Sequence, residues 1–262
     1  MPAPRTISVT RYLTPLREGG SLPAIVEGDD DGLYVLKFRG AGQGPKALIA
    51  EWVAGEIGRA AGLAVPEIVY AGLDPELART EPDPEVQDLI RASGGLNLAL
   101  DYLPGAIAFD PIAEPVDATL ASRIVWFDAY ICNVDRSARN TNLLMWHRRL
   151  WLIDHGAALY FHHAWRDDTL ERAATPFAAI KDHVLLRQAS ALEEADAWMS
   201  ARLSPALLEE IVAALPDAWL AGEPAFADVD AHRAAYVGYL TRRLAAPHAF
   251  VEEALRARAA HL

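Results

Sequence analysis

The sequence predicts an α+β fold in two parts: a small, β-rich lobe with one helix in residues 1–104, and a mainly helical lobe in residues 105–262. Three observations carry that expectation. Strand-like runs crowd the first third of the chain, and a Pro104–Gly105 pair follows an apolar run ending at Leu103. After Val116, helical spacing dominates everything except one short hairpin. A chain of 262 residues, 52% hydrophobic and 23% charged, has room for one large domain or two lobes sharing a cleft.

In chain order, Thr6–Val9 alternates faintly and Arg17–Ser21 reads as a turn. Ala24–Glu27 and Leu33–Arg39 read as strands of a hairpin joined by the charged turn Gly28–Gly32. Pro45 opens a helix that runs to about Ala61 and stops at Gly62. Its apolar stripe of Leu48, Ile49, Trp52, Val53, Ile57 and Ala60 implies one buried face. Asp74–Gly95, rich in Pro, Glu and Asp, reads as a loop with room for a short helix, and Leu96–Leu103 as an apolar strand. Past the boundary come a helix over Val116–Ile131, a polar loop and a hairpin. Further helices span Ala191–Arg202 (Ser190 as N-cap), Pro205–Leu215, Asp228–Ala245 and Ala249–Ala260.

Composition narrows the function classes. The formal net charge of −12 repels a phosphate backbone, so no nucleic-acid partner is expected. Cys132 is the single cysteine, which rules out an intrachain disulfide and a multi-cysteine zinc site. The opening residues lack the apolar stretch of a secretory signal, and no apolar run is long enough to cross a bilayer. A cytoplasmic protein without a membrane partner is the expectation.

The chemistry concentrates in Asn133–Gly156, NVDRSARNTNLLMWHRRLWLIDHG. Leu143–Trp146 and Leu150–Ile153 flank the polar residues His147–Arg149. With those three as the turn, Trp146 pairs with Leu150 and Asn142 lies opposite Asp154. Neighbouring strands are about 4.8 Å apart, so the hairpin folds the preceding polar residues onto Asp154. Phosphoryl transfer needs such a cluster. Magnesium takes carboxylate and amide oxygens while keeping several waters, and one further carboxylate orients the attacking hydroxyl. Asn140 and Asp154 are the expected metal ligands and Asp135 the orienting base. Singly, each of these is a residue type that turns favour; the case rests on the combination.

A second half lies upstream. Lys37 falls within the apolar strand run Tyr34–Phe38, where it either faces solvent or reaches the α- and β-phosphates of a nucleotide with a helix carboxylate beside it. Two candidates for that carboxylate follow. On a helical wheel Glu56 falls within the apolar stripe and Glu51 on the opposite side. Gly19, Gly20 and Ser21 precede a strand, where their backbone N–H groups would cover phosphates. Gly40–Lys46 imitates a P-loop but puts Pro45 where the second glycine belongs and Ala47 where the hydroxyl belongs. His155, His162 and His163 lack the i, i+4 spacing of a helical metal site and read as ordinary polar or packing residues.

The order of strand lysine, helix glutamate, D-R-x-x-x-N, hairpin and I-D-H-G resembles the HipA-like branch of the protein-kinase-like superfamily. The I-D-H-G element is also similar to that of phosphatidylinositol kinases. The resemblance covers about Leu33 to Tyr160 and includes GPKALIAE at Gly44–Glu51 and GLAVP at Gly62–Pro66. It implies a bilobal protein-kinase-like fold, with ATP and magnesium as cofactors and a hydroxyl acceptor, a protein serine or threonine being favoured. A small-molecule or lipid kinase, and a nucleotide-binding pseudokinase scaffold, are the other readings. Carried across, Lys37 is the phosphate lysine, Glu51 its helix partner, Asp135 the catalytic aspartate, and Asn140 and Asp154 the metal ligands, with Asn142 the alternative to Asn140. Leu100–Leu103 becomes the lobe-connecting hinge, whose backbone at Asp101 and Leu103 meets adenine. No G-x-G-x-x-G loop is present, and HipA-like kinases also lack a standard one. The chain is shorter than full-length HipA toxins, so an antitoxin partner finds no support in the motifs.

Overall fold

Alternation along the first strands builds a barrel with a dry interior. A computed structural model describes residues 4–16 and 22–261, so the whole expected Arg17–Ser21 turn, with Gly19, Gly20 and Ser21, lies outside the described residues. Five strands, β1 (Thr6–Pro15), β2 (Ala24–Gly28), β3 (Leu33–Lys37), β4 (Ile68–Leu73) and β5 (Gly95–Asp101), close in the order β1-β2-β3-β5-β4. Four junctions are antiparallel, and the fifth, β1 with β4, is parallel and closes the barrel at Thr6↔Tyr70. Closure removes the exposed edges that an open sheet would present. Val26, Leu36, Val69 and Ala99 fill the interior.

Two features depart from the sequence reading here. β1 runs well beyond Val9, and β4 has no counterpart among the expected strands, because Ile68–Leu73 is a continuous apolar run without alternation. The expected single helix in residues 1–104 is also corrected. Besides α1 (Pro45–Ala60) there is α2 (Pro84–Ala92), started by Asp83, whose side chain accepts from the Glu85 N–H.

α1 begins at Pro45 after Gly44, whose φ of 62° only glycine adopts at no steric cost. Leu48 through Gly58 are all buried, so this helix has no solvent face over three turns. The expectation of a one-sided stripe is therefore overturned. Trp52 shows why: its Nε1 donates to the Ile211 carbonyl at 2.9 Å, and further helices cover the side turned away from the barrel.

The remaining chain adds β6 (Ile107–Ala108), α3 (Ala118–Tyr130), β7 (Leu143–Trp146), β8 (Arg149–Leu152), α4 (Leu192–Ser200), α5 (Pro205–Ala213), α6 (Asp217–Leu220), α7 (Val229–Ala245) and α8 (His248–Ala259). Asp117 caps α3 and Asp228 caps α7. Ser190 does not cap α4; Ala191 stands at that position, without a side-chain cap. The β7–β8 turn is corrected too. It holds two residues, His147 and Arg148, both with positive φ (48° and 61°), and Trp146 pairs with Arg149. A two-residue turn of that hand matches the right-handed twist of the strands. The register therefore moves by one, and Asn142 faces Ile153, whose N–H donates to the Asn142 carbonyl at 3.1 Å.

A larger hydrophobic core runs from Leu48 on α1 through Leu98 and Leu100 on the barrel's outer side to Phe250 and Ala257 on α8. It is not divided at Pro104–Gly105. Among the described residues no helix is long and apolar enough to cross a membrane.

Candidate active site

Strand alternation aims Lys37. Tyr34 and Leu36 point into the barrel, which leaves Val35 and Lys37 facing outward. Lys37 Nζ donates to Asp154 Oδ1 at 2.7 Å and lies 3.4 Å from Glu51 Oε2. The carboxylate beside the lysine is thus Glu51, the residue the helical wheel placed on the wrong side. The wheel argument fails because α1 is buried all round. Glu56 instead pairs with Arg59 at 3.2 Å, one turn along its own helix.

Glu51 is fully buried, and His155 holds both of its oxygens. The His155 backbone N–H donates to Oε2 at 3.0 Å, and Nδ1 lies 3.2 Å from Oε1. Burial alone would raise the Glu51 pKa, but the Lys37 ammonium and the His155 hydrogen bonds outweigh it and bring the carboxyl down to about 2. Burial works against the Lys37 charge as well. The nearby Glu51 and Asp154 carboxylates prevail and hold the ammonium above the ordinary lysine range.

The other half of the site hangs on the ends of the hairpin. Asn142 and Asp154 both adopt left-handed backbone, φ 47° and 53°, a conformation that Asn and Asp tolerate better than most residues. Asn142 Nδ2 donates to the Asp135 carbonyl at 2.6 Å and lies 3.3 Å from its Oδ2, while Asn140 Nδ2 donates to the same Oδ2 at 2.9 Å. Both asparagines therefore keep an amide oxygen for another partner.

Under this loop sits an arrangement that motif reading missed. Asp128 on α3 is fully buried and accepts from Arg136 Nε at 2.6 Å, His183 Nε2 at 2.9 Å and Asn133 Nδ2 at 2.9 Å. His183 Nδ1 accepts from the Leu185 N–H at 3.0 Å, so Nε2 carries the proton given to Asp128. Burial would raise the Asp128 pKa; Arg136 and His183 overcome it and hold the carboxyl far below the usual range. Arg136 also donates through Nη1 to the Asn142 carbonyl. One buried ion pair thus fixes the Asp135 loop to the hairpin. Its sequence signals were Asp128 within an apolar helix and Arg136 in D-R-x-x-x-N, with nothing local to pair them.

These elements enclose a cavity of about 770 Å³. Lys37, Asn140, Asn142 and Asp154 line it, with Asp101, Tyr102 and Leu103 on its wall. Val35 and Leu100 from the barrel face Leu143 and Ile153 from the hairpin. Burial and the Glu67 charge push the Asp101 carboxyl up. Glu51 and Asp135 are not lining residues and reach the cavity through their partners. Lys46 of the P-loop look-alike turns away, to Glu223 and the His162 carbonyl, each at 2.8 Å. Among the described residues no group of three His, Cys, Asp or Glu side chains is placed to hold a metal. The oxygens available instead are the Asp154 carboxylate and the amides of Asn140 and Asn142.

The family profile of HipA-like kinases matches residues 9–248. The chain belongs to the HipA-like kinase family. It is accordingly a phosphotransferase. Its fold is shared with solved kinases. The Helicobacter pylori proinflammatory kinase CtkA aligns at 13% identity over 98% of this chain and 99% of that one, with a TM-score of 0.52. The Golgi casein kinase aligns at 13% identity over 95% of this chain and 72% of that one, with a TM-score of 0.53. A structure of the Golgi casein kinase with Mn/ADP bound gives 13% identity, 95% and 74% coverage, and a TM-score of 0.52. At such identities the likeness is one of fold. No curated protein matches this HipA-like kinase.

Proposed function

We propose that this kinase binds ATP with magnesium and transfers the γ-phosphoryl group to a hydroxyl, with a protein serine or threonine as the favoured acceptor. The observation that carries the proposal is the contact of Lys37 with both Glu51 and Asp154 at the wall of the 770 Å³ cavity. One lysine shared by two carboxylates leaves a net negative charge, which a divalent cation on Asp154 would offset, freeing the ammonium, still held by Glu51, for a phosphate.

The donor set fits magnesium, a hard cation that takes one or two carboxylates, amide oxygens and waters. Asp154 and Asn140 would hold it, with Asn142 as the alternative amide. When bound, it would neutralise charge on the β- and γ-phosphates. Lys37 would bind the α- and β-phosphates, turning from Asp154 while Glu51 keeps it oriented. Val35, Leu100, Leu143 and Ile153 would sandwich the base, with the backbone at Asp101 and Leu103 along its edge. Asp135, oriented by Asn140 and Asn142, would take the proton as the acceptor oxygen bonds to the γ-phosphorus and the bond to ADP breaks. On this reading residues 1–104 and 105–262 are the two lobes and the cavity is the cleft between them.

Label transfer from γ-labelled ATP in magnesium, with the protein alone and with lysate proteins, tests the proposal. Label on serine or threonine is the expected result. Label confined to small metabolites contradicts the protein acceptor, and no transfer at all contradicts the proposed reaction.

A further inference from the structure

His155 is used by nothing in the mechanism above, yet it is one of the most deliberately placed polar side chains in the molecule. It is fully buried, directly after Asp154, and it grips Glu51 at two points with two different donors. We propose that His155 is a positioning residue that holds the Glu51 carboxylate in the orientation Lys37 needs, and so links Asp154 to α1. The proposal rests on reading Lys37 as the phosphate-binding lysine.

An ionised carboxylate only accepts, so Nδ1 of His155 must carry the proton it shares with Glu51 Oε1, while the backbone N–H serves Oε2. Lys37 approaches Oε2 at 3.4 Å, looser than its 2.7 Å bond to Asp154 Oδ1. When phosphate draws Lys37 away from Asp154, Glu51 is the anchor that remains, and its plane is set by His155 rather than by the lysine. The imidazole is itself fixed. Its ring meets Phe127 edge-to-face at 5.8 Å, and Nε2 is buried with no partner among the described residues. That unpartnered nitrogen shows that the polar use of this ring lies entirely on the Glu51 side. A histidine kept for packing alone would be replaceable by an apolar side chain without an orphaned polar atom.

The two amide substitutions separate positioning from packing. In His155→Asn the side-chain amide falls where Nδ1 stood and still donates to Glu51. In His155→Gln it falls near the Nε2 position, although Gln is closer to His in size. The experiment measures kcat and KM for ATP, together with the thermal midpoint of each variant. His155→Asn is expected to keep kcat/KM within about threefold of wild type, and His155→Gln to lose tenfold or more while staying folded. Equal loss in the two variants, a larger loss in His155→Asn, or full activity in both overturns the proposal. If wild type itself transfers no phosphate, the functional reading fails instead. The imidazole ¹⁵N spectrum then judges the placement alone: a protonated Nδ1 and a bare Nε2 support it, and the opposite tautomer overturns it.

Discussion

At the scale of single residues, the buried charges decide where the site is. Glu51 and Asp128 are both fully buried, and each is surrounded by donors that more than offset the cost of burial. Removing one partner leaves a buried charge uncompensated, which costs roughly 3–5 kcal/mol. Glu51→Gln leaves Lys37 its closer partner Asp154, so it should lower stability at pH 7 by roughly 1–3 kcal/mol, the scale of a lost hydrogen bond to a charged group. The sign of its pH dependence follows from the depressed pKa. The stabilisation from Glu51 is complete above the unfolded-state value of 4.5 and is lost as pH falls towards about 2. Denaturant unfolding of wild type and Glu51→Gln across that window should show the gap between them closing in acid. A gap that stays constant contradicts the ionised pair. In sequence, Glu51 and Glu56 were separable only by family resemblance, because the helical wheel assumes that one face meets water. His155 stands within I-D-H-G, but its role was not legible there, since its partner lies 104 residues earlier.

At the scale of elements, α1 is the unusual one. It lies against the barrel on one side and α5 and α6 on the other, and Lys46 ties its first turn to Glu223 and the His162 carbonyl. With Trp52 bonded to Ile211 and Glu51 to His155, the helix has no room to swing. Hydrogen exchange of α1 amides should be slow in the free protein and change less than tenfold when ADP and magnesium are added. Strong protection appearing only with nucleotide would mean that the helix docks on binding. The hairpin teaches a complementary lesson about reading sequence. Its two strands were legible from apolar runs around His147–Arg149, but the register was not. A two-residue turn with both residues at positive φ needs no glycine here, so the usual marker of such a turn is missing from the text. Likewise, β4 and the parallel β1–β4 pair that closes the barrel leave no local signal, because closure joins residues more than sixty positions apart.

For the whole molecule, the β-rich beginning, the helical remainder and the cluster from Asn133 to Gly156 were readable because each follows a period or a motif. How the parts share a core was not. The larger hydrophobic core spans α1, the outer side of the barrel and the helices up to α8, so the two proposed lobes depend on each other for burial. Thermal unfolding should then be one transition by calorimetry, with calorimetric and van't Hoff enthalpies equal. Two separated transitions would show lobes that fold independently.

The central claim is that Asp154, met by Lys37 across the cavity, belongs to a metal-dependent phosphotransfer site. Magnesium-dependent transfer from γ-labelled ATP, compared between wild type and Asp154→Ala, tests it most directly. The account predicts a loss of at least ~100-fold in rate for Asp154→Ala, the scale of removing one electrostatic contributor to a transition state, and loss of wild-type transfer in excess EDTA. Equal transfer by both proteins, or transfer by wild type that persists without a divalent cation, would contradict it.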